Sequence, residues 1–269
     1  MKKTMLSLAV AASLGLVSAS ASAVGDFKEF TVDENSVPGV PTTSTFEADK
    51  INGSYNEVLT VNNNGSFDTV GYANWTSYLF NDGGDVVQDY YLGSAGATGY
   101  SMYATFSSSG YLTATGFTGL VGSFLLYIDP NKDTTKSLPG SGSGDVVVGG
   151  TSDDYLIAFA TNLISGLGVV GTPGAFDLIF NDFTLTTGDN NAGTAGTQNG
   201  DLYFTEPRPF HLLVQTNGDF DKFPTVPGPG TYSNITGDIS AVFKVPEPGS
   251  LAMLGLGLLG LGMSRRRKA

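Results

Sequence analysis

The chemistry open to this chain is limited first by what it lacks. There is one histidine, His211, and no cysteine. Without thiols there are no disulfide staples, no thiolate metal sites and no cysteine nucleophile. A zinc site would need one imidazole and three carboxylates, an unusual ligand set. In "PFHLLVQ", Phe210, Leu212 and Val214 alternate, which puts His211 on the opposite face. A general base needs an orienting partner and a nucleophile. None is identifiable nearby, so His211 reads as an ordinary strand residue. Among the carboxylates, Asp153 and Asp154 are neighbours that would face opposite sides of a strand, and Asp177 and Asp182 differ in parity unless the slip between them realigns them. Glycoside cleavage needs two carboxyl groups facing each other across a cleft, and no local spacing supplies them. "DPNKDTT" places Asp129, Asn131 and Asp133 at alternate positions, like the first ligands of a calcium loop. The sixth position is Thr134 rather than Gly and the twelfth is Gly140 rather than Glu, so the EF-hand pattern fails. These three remain weak calcium candidates beside the plainer reading as an acidic turn, and "NGDFD", with Asp219 and Asp221, is equally short of ligands. Phosphate-loop and dinucleotide motifs are absent, so no cofactor is expected. In "YANWTSYLF", Tyr72, Trp75 and Tyr78 form a candidate sugar-binding patch, because aromatic faces stack on sugar rings. A core strand is the competing reading of the same stretch.

The elements that must hold these residues are short and β-like. Gly, Ser, Thr, Asn and Asp recur in clusters such as "NNNGS", "NDGGD" and "LPGSGSGD", separated by short apolar or alternating runs. That punctuation predicts many strands joined by turns and no long helices. In "DDYLIAFAT", Tyr155, Ile157 and Phe159 share a face, and in "TGDISAVFKV", Ile239, Ala241, Phe243 and Val245 do. "FDLIFNDFTLT" begins with Phe176, Leu178 and Phe180 in phase, then shifts to Phe183 and Leu185. The slip at Asn181-Asp182 predicts a bulge or tight turn, since one extra residue reverses the face. "SFLLYID" from Ser123 is apolar on both faces, as in a central strand, while "NLISGLGVVG" is ambiguous and includes a helical turn among its readings. Residues 37–41, 136–144 and 224–230 read as loops. The pattern predicts an all-β, antiparallel two-sheet sandwich or jelly-roll-like body. No repeat of fixed period is present.

The two ends differ from this body. Lys2-Lys3, the apolar run Met5 to Val17 and the small residues of Ala21-Ser22-Ala23 have the layout of a signal peptide over residues 1–23, an N-terminal signal helix and signal-peptidase substrate cut after Ala23. Residues 24–244 then form one exported β domain. With 7 basic and 24 acidic side chains it carries about −17, which favours solubility and disfavours nucleic acid and anionic membranes as partners. At the other end, Gly249 to Met263 is apolar and rich in Leu and Gly. As a helix it is roughly 22 Å long at about 1.5 Å per residue, short for a bilayer core of about 30 Å. Pro246 and Pro248 stop a helix from running back into the body. Arg265, Arg266, Arg267 and Lys268 would stay cytoplasmic. Residues 245–269 therefore read as a motif, a short transmembrane helix that holds the chain transiently in the inner membrane, and a basic tail.

This order of Val245-Pro246-Glu247-Pro248, apolar segment and Arg265 to Arg267 cluster resembles the PEP-CTERM sorting signal of Gram-negative bacteria. The resemblance implies an exosortase acting near Pro246-Glu247-Pro248, and a destination at the cell surface or in an extracellular polysaccharide matrix. The same tail is catalogued under an ice-binding-protein C-terminal label, which describes the tail and not a property of the body. The body resembles the flocculation-associated PEP-CTERM protein family through "FKEFTVDENSVPG", "ADKINGSYNEVLTV", "SFLLYIDP", "DDYLIAFAT", "GAFDLIFNDFTLT", "PFHLLVQTNGDFD" and "TGDISAVFKVPEPGS". That resemblance implies a non-enzymatic protein that binds cells and exopolysaccharide together in flocs, and it transfers no catalytic motif. A polysaccharide-active enzyme and an ice-binding protein are the rival expectations. The latter would need a flat, regular threonine array, and no threonine repeat is evident.

Overall fold

The computed structural model describes residues 27–41, 44–95, 98–140, 144–188, 199–221, 223 and 225–244. The signal segment with Ala21 and Ala23, and the whole tail from Val245 to the Arg265–Arg267 cluster, lie outside the described residues. So do both helices expected at the ends. Among the described residues no helix is long and apolar enough to cross a membrane.

The chain begins with β1 (Phe30–Asp33), a 3-10 turn (Glu34–Ser36) and β2 (Thr45–Ala48). Two long strands follow, β3 (Lys50–Val61) and β4 (Ser66–Phe80), then the short β5 (Asp85–Val86). The long pair β6 (Ser101–Thr113) and β7 (Gly116–Asp129) leads into a small hairpin of β8 (Thr135–Ser137) and β9 (Val147–Gly149). Next come β10 (Tyr155–Ala160), β11 (Asn162–Val169), β12 (Gly174–Asn181) and β13 (Thr184–Leu185). A single helical turn (Gly200–Tyr203) runs into β14 (Phe204–Glu206), and β15 (Leu213–Phe220) and β16 (Tyr232–Lys244) complete the order.

The all-β, antiparallel expectation holds, but the layers differ from a sandwich. Eight strands close into one antiparallel barrel in the order β11, β12, β15, β16, β3, β4, β6, β7. Closure comes from β7 pairing back onto β11, from Gly116↔Val169 to Gly119↔Gly166. The far half of β7, Phe124 to Ile128, pairs instead with β10. One long strand thus serves two partners and removes the open edges that a sandwich would leave to be protected. Alternation along each strand could not distinguish these outcomes, because both bury one face of every strand.

Phenylalanine fills the barrel, and glycine makes room for it. Gly71 pairs with Phe106, Gly168 with Phe117, Gly174 with Phe220 and Gly218 with Phe176. In each pair the ring lies over the glycine. A Cβ at Gly174 would meet Phe220 at 2.6 Å, one at Gly218 would meet Phe176 at 2.7 Å, and at Gly71 and Gly168 the overlap is worse. Covering a strand glycine with a cross-strand aromatic restores the packing that the glycine lacks. A cavity of about 30 Å³ remains among Glu57, Thr69, Ser108, Thr216 and surrounding phenylalanines. That holds a water or two, against roughly 300–1,000 Å³ for small-molecule pockets, so the interior is a core and not a cup.

The remaining elements cover the end where β4 finishes and β6 begins. Glu34, fully buried, accepts from Tyr91 and Leu92 N–H groups, from Ser44 and from Tyr100 Oη at 2.8 Å. Tyr203 of the helical turn joins Tyr100 and Tyr78 through their hydroxyls. A buried carboxylate with this many donors is satisfied, which is the condition for burying it at all.

Several local expectations are met and others reversed. Phe176, Leu178 and Phe180 line the barrel, and the slip falls at Asp182, whose φ of 59° is left-handed. "NLISGLGVVG" is strand rather than helical turn, and β8 runs into the expected loop at residues 136 and 137. In β10 a register shift between Leu156 and Ala158 breaks the alternation, so Ala158 is buried where Phe159 was expected. Leu212 is exposed and His211 buried, the reverse of the parity reading. The stretch lies before β15 begins, so strand alternation does not govern it.

Candidate functional site

Two of the three residues in the aromatic patch are core. Trp75 is 2 % exposed and Tyr78 0 %, so neither offers a ring face to a sugar. Trp75 keeps the inward phase of Phe67, Thr69 and Ala73 and packs beside Phe124, and a bulge after Asn52 in the β3–β4 register then brings Tyr78 inward as well. Tyr72 is the member on the outer wall, directly across from Thr105.

The outer wall at Thr105 leads to a groove of about 560 Å³ over β4, β6 and β7. Outward positions of these strands make its floor: Val70, Thr105, Ser107, Ser123 and Leu125. The Ser107 and Ser123 hydroxyls bond each other at 2.8 Å. One end is a pair of stacked tyrosines, Tyr103 and Tyr127, with centroids 5.1 Å apart and planes 14° apart. Val146 and Val148 line the groove from the β9 segment, while Val147 between them points to solvent. Asp145, Thr151 and Asp154 complete it.

Asp154 fixes the tyrosine end. It accepts from Tyr103 Oη at 2.6 Å and from Thr134 Oγ1 at 2.8 Å. Burial pushes its carboxyl above the ordinary range, and these two hydrogen bonds oppose that shift. Burial likewise raises the Tyr103 phenol, reinforced by its bond to Asp154. The Lys136 ammonium lies 4.3 Å from the Tyr103 ring centroid, a cation–π contact on the tyrosine that Tyr127 stacks against. Burial lowers the Lys136 pKa, while Asp129 and Asp154 oppose the change.

The calcium candidates are arranged differently from their spacing. Asp129, buried at the end of β7, accepts from the Lys132 N–H at 2.6 Å, the Thr134 N–H at 3.0 Å and Ser101 Oγ at 3.0 Å. It is the organiser of the turn. Asn131 accepts from the Asp133 N–H at 3.0 Å, a local turn bond. Asp129 instead groups with Asp153 and Asp154, whose carboxylate oxygens lie within 4.8 Å of one another. Those three could hold a cation, though acidic groups also gather without one. The two neighbours Asp153 and Asp154 reach one place because they sit in a loop before β10, where strand alternation does not apply.

His211 donates from Nε2 to the Glu29 carbonyl at 2.9 Å, between the Phe210 and Phe243 rings. Burial lowers its pKa. The groove residues Tyr103, Tyr127, Ser107 and Ser123 were not singled out from the sequence. Their signal was the second parity of β6 and β7, tyrosine, threonine and serine at the positions opposite the apolar row.

Fold and groove define an antiparallel β-barrel with a binding-sized cleft on its outer wall. Residues 244–268 match the family model described as the PEP-CTERM protein-sorting motif, and the chain carries that motif. The motif indicates an exosortase-sorted extracellular protein, exported and transiently anchored in a membrane on its way to the cell surface. No match to a curated protein or to a solved structure accompanies it.

Proposed function

We propose that this chain is a non-enzymatic matrix protein that holds cells and exopolysaccharide together in flocs. The observation that carries the reading is the outer groove. It sets a stacked tyrosine pair and hydroxyls on a strand wall, with loop carboxylates beside them, the mixture that grips sugar rings by stacking and hydrogen bonding. The sorting motif adds the destination, and the resemblance of the body to flocculation-associated proteins adds the role. In this reading signal peptidase cuts after Ala23, and an exosortase acts near Pro246-Glu247-Pro248. A strain lacking the gene but still making its polysaccharide is expected to lose flocculation. Wild-type protein should restore it, and protein with Tyr127→Ala should not. Normal flocs in the deletion strain would overturn the proposal.

A second reading has one observation in its favour. Asp145 and Asp154 line the same groove, so a polysaccharide-active enzyme has two carboxyls available. Asp154 is bound as an acceptor by Tyr103 and Thr134, which favours a structural role for it. New reducing ends released from matrix polysaccharide by wild type and not by Asp145→Asn would decide for the enzyme.

A further inference from the structure

Within the glycan-binding reading, we infer that the outer groove takes a polysaccharide segment whose sugars carry free amino groups, a de-N-acetylated hexosaminan, rather than a uronic-acid or sulfated chain. The inference rests on that reading and narrows its substrate class.

Among the described residues, the lining of the groove holds two carboxylates, Asp145 and Asp154, and no arginine or lysine. An anionic sugar entering it would meet like charge at both positions, and the Lys136 cation beside the tyrosine end is held over the Tyr103 ring next to Asp154. An ammonium group would find two acceptors. The segment that forms the rim, residues 129–154, carries five aspartates against Lys132 and Lys136. Lys136 is directed onto the Tyr103 ring, and Lys132 Nζ donates to the Ser94 carbonyl at 2.8 Å. Both rim cations therefore have fixed partners of their own. The body as a whole, with 24 acidic and 7 basic side chains, reinforces the local sign and draws polycations toward the wall.

The rest of the lining suits a sugar more than a peptide or a simple amine. Tyr127 is half-buried, backed by Tyr103, and lines the groove as a preoriented platform. Ser107, Ser123, Thr105 and Thr151 supply hydroxyls that donate or accept, matching the alternating capacity of sugar hydroxyls. Val146 and Val148 close over the other side with apolar surface, as the C–H faces of a pyranose require. The volume of about 560 Å³ fits a short run of linked sugars rather than a single ion.

The test is calorimetric binding by the full-length chain, held in detergent, of three oligosaccharides: glucosamine oligomers, their N-acetylated counterparts and uronate oligomers. Glucosamine oligomers are expected to bind at least tenfold more tightly than the N-acetylated ones, with affinity falling as salt rises, and uronate oligomers should not bind. Asp145→Asn, at an exposed position, and Tyr127→Ala, checked for an unchanged melting profile, should each weaken glucosamine binding fivefold or more. Equal or tighter binding of the N-acetylated or uronate oligomers would overturn the inference and leave the glycan reading standing. Glucosamine binding that ignores both groove variants, but falls when exposed Asp238 is neutralised, would reduce the effect to bulk charge and also overturn it. Absence of binding by all three would sink both readings together.

Discussion

Glu57 lies inside the barrel wall, 8 % exposed, with Thr69 Oγ1 donating to it at 2.9 Å. Burial pushes its carboxyl from 4.5 up to about 7, and the Thr69 bond restrains the shift. Between those two values the native state keeps a proton that the unfolded chain has released, so stability falls as pH rises through this window. Below the unfolded value no penalty applies, and above the folded value the penalty is complete, on the order of 3 kcal/mol at 1.36 kcal/mol per unit. Asp49, Asp153 and Asp154 are also raised by burial and push in the same direction, so the comparison must be against a variant. Glu57→Gln keeps an acceptor for Thr69 and cannot ionise. It is expected to match wild type near pH 4 and to exceed it by up to about 3 kcal/mol at pH 8. Denaturant titrations across that range measure the difference. A constant gap between the two proteins would show that Glu57 is not the titrating group.

At the scale of strands, the glycine–phenylalanine pairs explain why a barrel with so many glycines is packed and not loose. Gly168 is the clearest case, because the nearest atoms to an added Cβ all belong to the Phe117 ring. Gly168→Ala is expected to cost about 1–3 kcal/mol by overpacking. Placed on Phe117→Leu, the same substitution should cost less than 1 kcal/mol, since the smaller side chain leaves the methyl room and alanine restricts the unfolded chain. Gly140→Ala, with nothing within 4 Å of the added carbon, serves as the control and should stay within about 0.5 kcal/mol of wild type. Additive costs in the double variant would mean that ring and glycine do not share the space. The pairs also bear on the groove, since the inward rings fix β6 and β7, whose outward residues form its floor.

For the whole molecule, the question is how an acidic barrel comes to be outside the cell. The sorting motif over residues 244–268 begins at Lys244, the last residue of β16, so the processing segment follows the barrel with no intervening domain. By sequence, Pro246 and Pro248 are residues that disfavour helix. The Arg265 to Lys268 cluster resists crossing, since charges at the bilayer centre cost roughly 2.5–3.5 kcal/mol each on insertion scales. Replacing Pro246-Glu247-Pro248 with three alanines is therefore expected to leave export intact and to retain uncut protein in the membrane. Fractionation followed by mass spectrometry of the C-terminus checks this. Matrix-located protein that still carries residues 264–269 would exclude removal of the tail.

Sequence by itself determined the strand-and-turn character of the body, its acidic charge, the lack of thiol chemistry and the sorting tail. Each of these is local. A run such as Phe176, Leu178, Phe180 declares one buried face, the slip at Asp182 declares a bend, and the order of proline, apolar stretch and arginines is read along the chain. Tertiary structure alone decided that the sheet closes, because closure is the pairing of Gly116 to Gly119 with Gly166 to Val169, residues far apart in sequence. It decided that Trp75 and Tyr78 are core and that Tyr103 and Tyr127 are not wasted outward positions but neighbours, since the inward phase of β4 and the bulge after Asn52 set the first and cross-strand register the second. It also gathered Asp129, Asp153 and Asp154, which periodicity had kept apart, because loop backbone obeys no alternation. Local pattern fixes which face of a strand is buried, whereas which strands meet, and what their outer faces present together, depends on hydrogen bonds between segments that share no sequence neighbourhood.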